Sequence, residues 1–414
     1  MQENIKASRE WGVTAACFTL HFCSAPFFAL TVFFTSFEAD FGWSRALISS
    51  MHSTFLLVAI PSNIIIGWLT DRYGPKQLLI ASGLFLGTGF ALISQVQNIG
   101  QILLFYAFAS LGAAAIAVIP MATVQRLVMS KRAGLALGIT TAGNSAGRMF
   151  LTPVATLLLL AFGWRTTYIF IGVAVWLLIS ISAILISSYE KQRLGTRGDI
   201  LQHEVGLNTP QIDAKKKIAL KEIIKTKTFL LTCVMFMIPI ACNQMILVHI
   251  VPFAEGVGIS KPEAATAIGL LGLFGVVGNL ICPSLSVRIS WGWLVFITLI
   301  ACSLTLFWLM TVSSLWMLYI FVGFYGFFFF GNMPTRLGFA RQLLGDEYLT
   351  STIAILFSAG SLLGIFTTIA SGYIYDIKGS YSIPFLIAAI LFIISAFTAI
   401  ILKRISIRHS SGAL

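Results

Sequence analysis

Charge is scarce in this 414-residue chain: only 10% of residues are Asp, Glu, Lys or Arg, and only 15 are acidic. A water-soluble globule needs a charged skin, and a chain that is 57% hydrophobic with a mean hydropathy of +0.91 must take lipid as its solvent. Paired cysteines are also missing. Cys17, Cys23, Cys233, Cys242, Cys282 and Cys302 lie singly in apolar segments without metal-type spacing, and read as small packing residues. The sequence has no nucleotide loop, metal-ligand cluster or paired acid and base near one interface. A multi-pass enzyme is therefore disfavoured, and neither cofactor nor metal is implied. A transporter-like sensor would need an added signalling domain, and none is seen. Short segments of alternating polarity, the mark of a membrane barrel, are replaced by long unbroken runs of Phe, Leu, Ile and Gly. No small-residue cleavage site follows a short apolar core at the start, so the first apolar stretch reads as a retained span.

Long apolar runs are abundant. Gln101 to Ile119 and Phe385 to Leu402 each approach the roughly 20 residues that a spanning helix requires. Reading from turn to turn predicts twelve spans, near 11–36, 46–70, 76–96, 101–125, 133–162, 165–188, 228–252, 263–287, 292–311, 315–341, 350–374 and 381–402. A polar segment from Tyr189 to Lys227, rich in lysine, separates the sixth from the seventh. It is read as a cytoplasmic basic linker (189–227) between an N-terminal six-helix domain (1–188) and a C-terminal one (228–414).

The net charge of +12 does not indicate nucleic acid, because the basic residues are spread along loops. With the N-terminus in the cytoplasm, Arg45, Arg165, Lys261 and Lys378 fall outside and Arg148 falls within a span. The rest of the 27 Lys and Arg then lie on the cytoplasmic side. The positive-inside rule thus places both termini there, and the short loops agree: Arg72 and Lys76, then Arg126, Lys131 and Arg132, then Arg336 and Arg341.

An internal repeat supports the division into halves. FEADFGWSR (Phe37 to Arg45) follows the first span and FAEGVGISK (Phe253 to Lys261) follows the seventh. Phe37 and Phe253, Gly42 and Gly258, and Ser44 and Ser260 are each 216 positions apart. The same offset joins Arg72 to Arg288 and Gly163 to Gly379. One register held from the first loop to the fifth predicts two parallel six-helix repeats around a central cavity, able to rock against each other.

Between the second and third spans lies GWLTDRYGPK, from Gly67 to Lys76. Gly67 would let two helices approach closely and Gly74 would permit a tight turn, while Asp71 and Arg72 could form charge pairs or cap a neighbouring helix. With Lys76, these residues are expected to gate the bundle. The stretch resembles the signature loop of the major facilitator superfamily, G-x-L-x-D-R-x-G-R/K-K/R. DFGWSRALIS (Asp40 to Ser49), SKRAGLALGITTAGNSAG (Ser130 to Gly147) and GYIYDIKGSY (Gly372 to Tyr381) resemble segments of the monocarboxylate porter family within it. The resemblance implies an all-α major facilitator fold and alternating-access transport of a small organic anion. One departure is clear. Animal members carry a D-x-x-x-R-P pattern in helix 8, where this chain has GNLICPS; Gly278 takes the Asp place and Cys282 the Arg place.

Every acidic residue falls in a loop, a terminus or a span end, whereas Arg148 sits near the middle of the fifth span, about 24 Å along it from Arg132 and about 21 Å from Phe162. A guanidinium costs about 3 kcal/mol or more at that depth, so it must face water, a polar cavity or a partner. Its planar fork suits a carboxylate. Thr141, Asn144, Ser145, Arg148 and Thr152 recur at helical spacing as one polar stripe. The alternative is that Arg148 bonds to backbone carbonyls between helices and never meets substrate. His21, about 16 Å into the first helix from Glu10, could carry a coupled proton, or could serve as a hydrogen-bonded structural residue. Asn243, Asn279 and Tyr325 are the polar groups the C-terminal half could offer; each could equally be helix–helix glue. Gly138, Gly143 and Gly147 read as close-packing positions.

The leading expectation is a secondary transporter moving a small organic anion, foremost a monocarboxylate, across the cell (inner) membrane, with protons as candidate coupling ion. The alternative is an exporter of a larger amphiphile such as a drug or siderophore, which the Phe327 to Phe330 run would suit.

Overall fold

The computed structural model describes residues 2–24, 33–43, 45–128, 133–204 and 220–411. The described residues form helices and turns. In order they are α1 (Gln2–Phe22), α2 (Phe34–Phe41), α3 (Arg45–Tyr73), α4 (Pro75–Ile93), α5 (Ile99–Leu127), α6 (Ala133–Glu204), α7 (Leu220–Ile224), α8 (Lys227–Gly256), α9 (Lys261–Ser284), α10 (Trp291–Leu309), α11 (Leu315–Leu344), α12 (Leu349–Lys378) and α13 (Ser382–Ser411), with a 3₁₀ turn (Leu285–Val287) after α9. Nine helical segments among the described residues are long and apolar enough to cross a membrane. Large apolar side chains point outward along them, including Leu160 at 79% and Leu157 at 67% exposure, as lipid-facing helices require.

The long α6 is two helices joined at Gly163, whose φ of 75° and ψ of 166° lie outside the helical region. It therefore supplies both the fifth and the sixth spans. The repeat register is visible in the backbone. Gly42 and Gly258 have φ of 65° and 85°, and Gly163 and Gly379 have φ of 75° and 66°, so equivalent turns in the two halves need a residue tolerating positive φ. At the first of these turns, Asp40 accepts from Trp164 Nε1 at 2.7 Å and from Arg165 at 3.1 Å, tying the end of α2 to the second arm of α6.

Helix α6 runs on through the start of the expected linker as far as Glu204, and residues 205–219 of that linker lie outside the described residues. Residues 25–32, within the expected first span, also lie outside them.

Candidate functional site

The helices of the two halves meet along two seams, α3 with α12 and α6 with α9. On the first, Gly67 packs so closely that an added Cβ would lie 2.8 Å from the Ala354 Cβ and 3.0 Å from the Ser351 Cα. One turn further, the Asp71 carboxylate accepts from the backbone N–H groups of Thr350 (3.3 Å) and Ser351 (2.8 Å) and from the Ser351 hydroxyl (2.6 Å). These amides belong to the first turn of α12, whose N–H groups have no helical acceptor and carry the positive end of the helix dipole. Asp71 also pairs with Arg126 of α5 at 2.6 Å, and its side chain is only 4% exposed. Arg126 reaches the Asp346 carbonyl at 3.5 Å, and the Asp346 carboxylate is held by Arg341 through Nε and Nη2 at 2.6 and 3.0 Å. Elements of both halves are thus pinned around one carboxylate.

The other residues of the loop stay outside this cluster. Arg72 is exposed, its guanidinium 5.4 Å from the ring centroids of both Trp68 and Tyr73, and Lys76 is exposed. Gly74 turns the chain with φ of 83°.

On the second seam, Gly138 lies against the Asn279 carbonyl and Pro283, and Gly134 lies against the Pro283 carbonyl, leaving no room for a Cβ. Beside them the Thr141 hydroxyl donates to Asn279 Oδ1 at 3.0 Å. Asn279, 1% exposed, therefore bridges the halves.

Deeper in the bundle, Asn144 of α6 donates to the Ser24 hydroxyl at 2.6 Å, and Ser24 in turn donates to the His21 carbonyl. His21 is 3% exposed. Its Nδ1 lies 2.8 Å from the Thr140 carbonyl and its Nε2 3.3 Å from the Ala117 carbonyl. Gly143 makes this contact possible by seating against Phe18 and the His21 Cβ. In the other half, the Tyr325 hydroxyl donates to Asn243 Oδ1 at 3.2 Å, joining α11 to α8. The backbone of Arg148 continues α6 one helical turn beyond Asn144, but the Arg148 side chain lies outside the described residues.

One functional-looking residue was misplaced by the sequence. Arg336 was expected among the cytoplasmic loop charges; it is instead fully buried inside α11, which runs on to Leu344. Its Nη1 donates to the carbonyls of Phe236 (3.1 Å) and Met235 (3.4 Å), and the guanidinium sits 5.0 Å from the Phe236 ring. Arg336 is thus an arginine held wholly inside the helix bundle. The signal available was Pro239, which deprives the Met235 carbonyl of its helical donor.

The departure at helix 8 also gains a physical reason. An added Cβ on Gly278 would fall onto the Phe327 carbonyl oxygen, and Gly331 sits against the Gly278 carbonyl and the Cys282 sulfur. Helices α9 and α11 pack too closely there for an aspartate.

A family model for the Major Facilitator Superfamily matches residues 16–366. The chain belongs to the major facilitator superfamily. Its backbone is similar to that of the proton:xylose symporter XylE, with a TM-score of 0.75 at 12% identity over 95% of each chain. It is also similar to the transporter FucP in its outward conformation, with a TM-score of 0.70 at 15% identity over 94% of this chain and 98% of that one. By sequence it is similar to monocarboxylate transporter 12 of Xenopus laevis, 22% identical over 91% of this chain and 85% of the relative. The human protein of the same name is 22% identical over 93% of this chain and 79% of its own length. The fold is the twelve-helix arrangement of two parallel repeats, and the protein is a transporter rather than an enzyme.

Proposed function

We propose that this major facilitator transporter carries a small organic anion, a monocarboxylate foremost, across the cell (inner) membrane by alternating access, with protons as the coupling ion. The halves 1–188 and 228–414 rock about the seams, joined by the basic linker 189–227, with both termini and the Asp71 end in the cytoplasm. The observation that carries this reading is the likeness to monocarboxylate transporters over nine-tenths of the chain. Arg148 adds to it: the position gives α6 a cation at mid-depth beside Asn144, and the fork of arginine matches a carboxylate in two hydrogen bonds. Arg336 is the counter-example within the same molecule, a buried arginine that bonds to backbone carbonyls, and it sets the alternative that Arg148 must be tested against.

The test is a thermal-shift screen of the purified protein with small monocarboxylates, amino acids and amphiphilic drugs, because a ligand specific for the folded state raises its melting temperature by mass action. Stabilisation by monocarboxylates, followed by their uptake into proteoliposomes under an imposed pH gradient, is the expected outcome. Stabilisation by amphiphiles alone would replace this reading with that of an exporter.

A further inference from the structure

The Asp71 end of the bundle is closed, yet it retains a cavity of about 350 Å³ between α5, α6, α10 and α11. Gln125 of α5, Trp291 of α10, and Arg341 and Asp346 at the end of α11 line it. Gln125 is 4% exposed, and neither its Oε1 nor its Nε2 has a hydrogen-bond partner. Among the buried side-chain amides of the described residues it is the one bare at both ends. Buried polar groups in folded proteins are satisfied almost without exception, so an amide in this condition on a cavity wall points to a guest.

The chemistry of the wall restricts that guest. A primary amide presents an N–H donor and a carbonyl acceptor side by side, which is the complement of a carboxyl group: the acid form pairs with both, and the carboxylate accepts from the N–H. Arg341 engages Asp346 through Nε and Nη2, leaving its Nη1 donors over for a second oxygen. The Arg341–Asp346 pair is close to neutral as a unit, so the cavity does not select a strong anion on charge alone.

We propose that this cavity is a second substrate subsite, at the Asp71 end of the translocation path, which takes the carboxyl group of the carried molecule against Gln125. The proposal rests on the reading that the protein carries a carboxylate. The walls come from both halves, with α5 and α6 from one and α10 and α11 from the other. The cavity is half-open, so a molecule entering from the Asp71 face seats there before that end opens and is passed on as the walls part. Such a subsite changes the affinity seen from one face of the membrane only.

The experiment compares wild type with Gln125→Leu in proteoliposomes sorted by orientation, measuring exchange of radiolabelled L-lactate from each face, with melting temperature taken on the same preparations. Loss of the amide should raise the half-saturation concentration at the Asp71 face about fivefold, near the worth of one hydrogen bond, and leave the opposite face unchanged. The melting temperature should stay at or above that of wild type, since an unpaired buried amide is replaced by an apolar chain. A variant that matches wild type at both faces overturns the subsite and leaves a cavity that holds water only. A lowered melting temperature with weakening at both faces overturns it in favour of a structural role. If wild type exchanges no L-lactate, the transport reading itself fails and the subsite falls with it; failure of the subsite alone is recognised by a wild type that exchanges and a variant that does likewise.

Discussion

Arg336 donates to the carbonyl that Pro239 leaves bare. Proline has no N–H, so the Met235 carbonyl one turn earlier in α8 loses its helical donor; Arg336 Nη1 reaches it at 3.4 Å and the Ser395 hydroxyl at 3.1 Å. The cation is tied to a break in a helix, not to a carboxylate. Arg336→Met, which keeps an unbranched apolar stem and drops the guanidinium, should therefore destabilise the fold. Hydrogen bonds to charged groups contribute about 1.5–3 kcal/mol each, and the lowered melting temperature should be accompanied by unchanged ligand affinity. A variant that melts like wild type but fails to bind ligand would instead make Arg336 part of the transport site.

Asp71 satisfies the first turn of α12 and the Arg126 guanidinium together, so its role belongs to a state in which this end is closed. Asp71→Asn removes the charge and with it the interaction with Arg126 and with the helix dipole, worth about 0.3–1 kcal/mol for the dipole alone. Transport rate should fall about tenfold, which corresponds to about 1.4 kcal/mol, while the affinity of the purified protein for ligand changes little. Transport at the wild-type rate would remove the assignment of this carboxylate to gating.

How far the sequence reached can be seen at particular positions. The 216-residue register was legible because turns demand positive φ, and glycine meets that demand visibly in one-dimensional sequence at Gly42, Gly258, Gly163 and Gly379. Asp71 was legible as a cap or a charge partner because its neighbours Gly67 and Gly74 mark a close approach and a turn; that its partners would be Ser351 and Arg126 was not, since those contacts join segments far apart in the chain. Arg336 was misread because TRLGFARQ, with a second arginine at Arg341, looks like the polar margin of a span. The helix continues to Leu344, and only the packing of α8 against α11 reveals a carbonyl waiting for a donor. Asn279 was read as a group for the cavity or for helix contact, and it stands with Thr141 between the halves for the same reason: the seam is a tertiary feature.

His21 faces a carbonyl with each ring nitrogen, at 2.8 and 3.3 Å. A neutral imidazole carries one N–H and so can donate to only one of them, whereas the imidazolium donates to both. This geometry serves either a proton carrier or a structural clamp between α1, α5 and α6. His21→Gln keeps one amide donor and removes the titration. If His21 carries the proton, uptake of monocarboxylate into proteoliposomes should lose its stimulation by an imposed pH gradient while exchange of substrate persists. Gradient-driven uptake that survives in this variant assigns His21 to structure and the proton to another group.

The anion anchor proposed for Arg148 makes the opposite prediction to that for Arg336. Two parallel hydrogen bonds between arginine and a carboxylate hold roughly 1.5–3 kcal/mol each in a partly dry site, and lysine offers a point charge without the fork. Arg148→Lys should weaken binding of a monocarboxylate clearly and Arg148→Ala should weaken it further, by about tenfold or more. The fold should survive, because removing a cation whose partner is the substrate strands no protein carboxylate, and a charge at membrane depth is itself a cost. If Arg148 instead binds backbone carbonyls as Arg336 does, Arg148→Ala will lower the melting temperature and leave affinity untouched. Measuring both quantities on Arg148→Ala and Arg336→Met side by side gives each variant the other as its control. Two destabilised proteins with wild-type affinity would end the anchor hypothesis and leave the substrate to be held by neutral groups such as Asn144 and Tyr325.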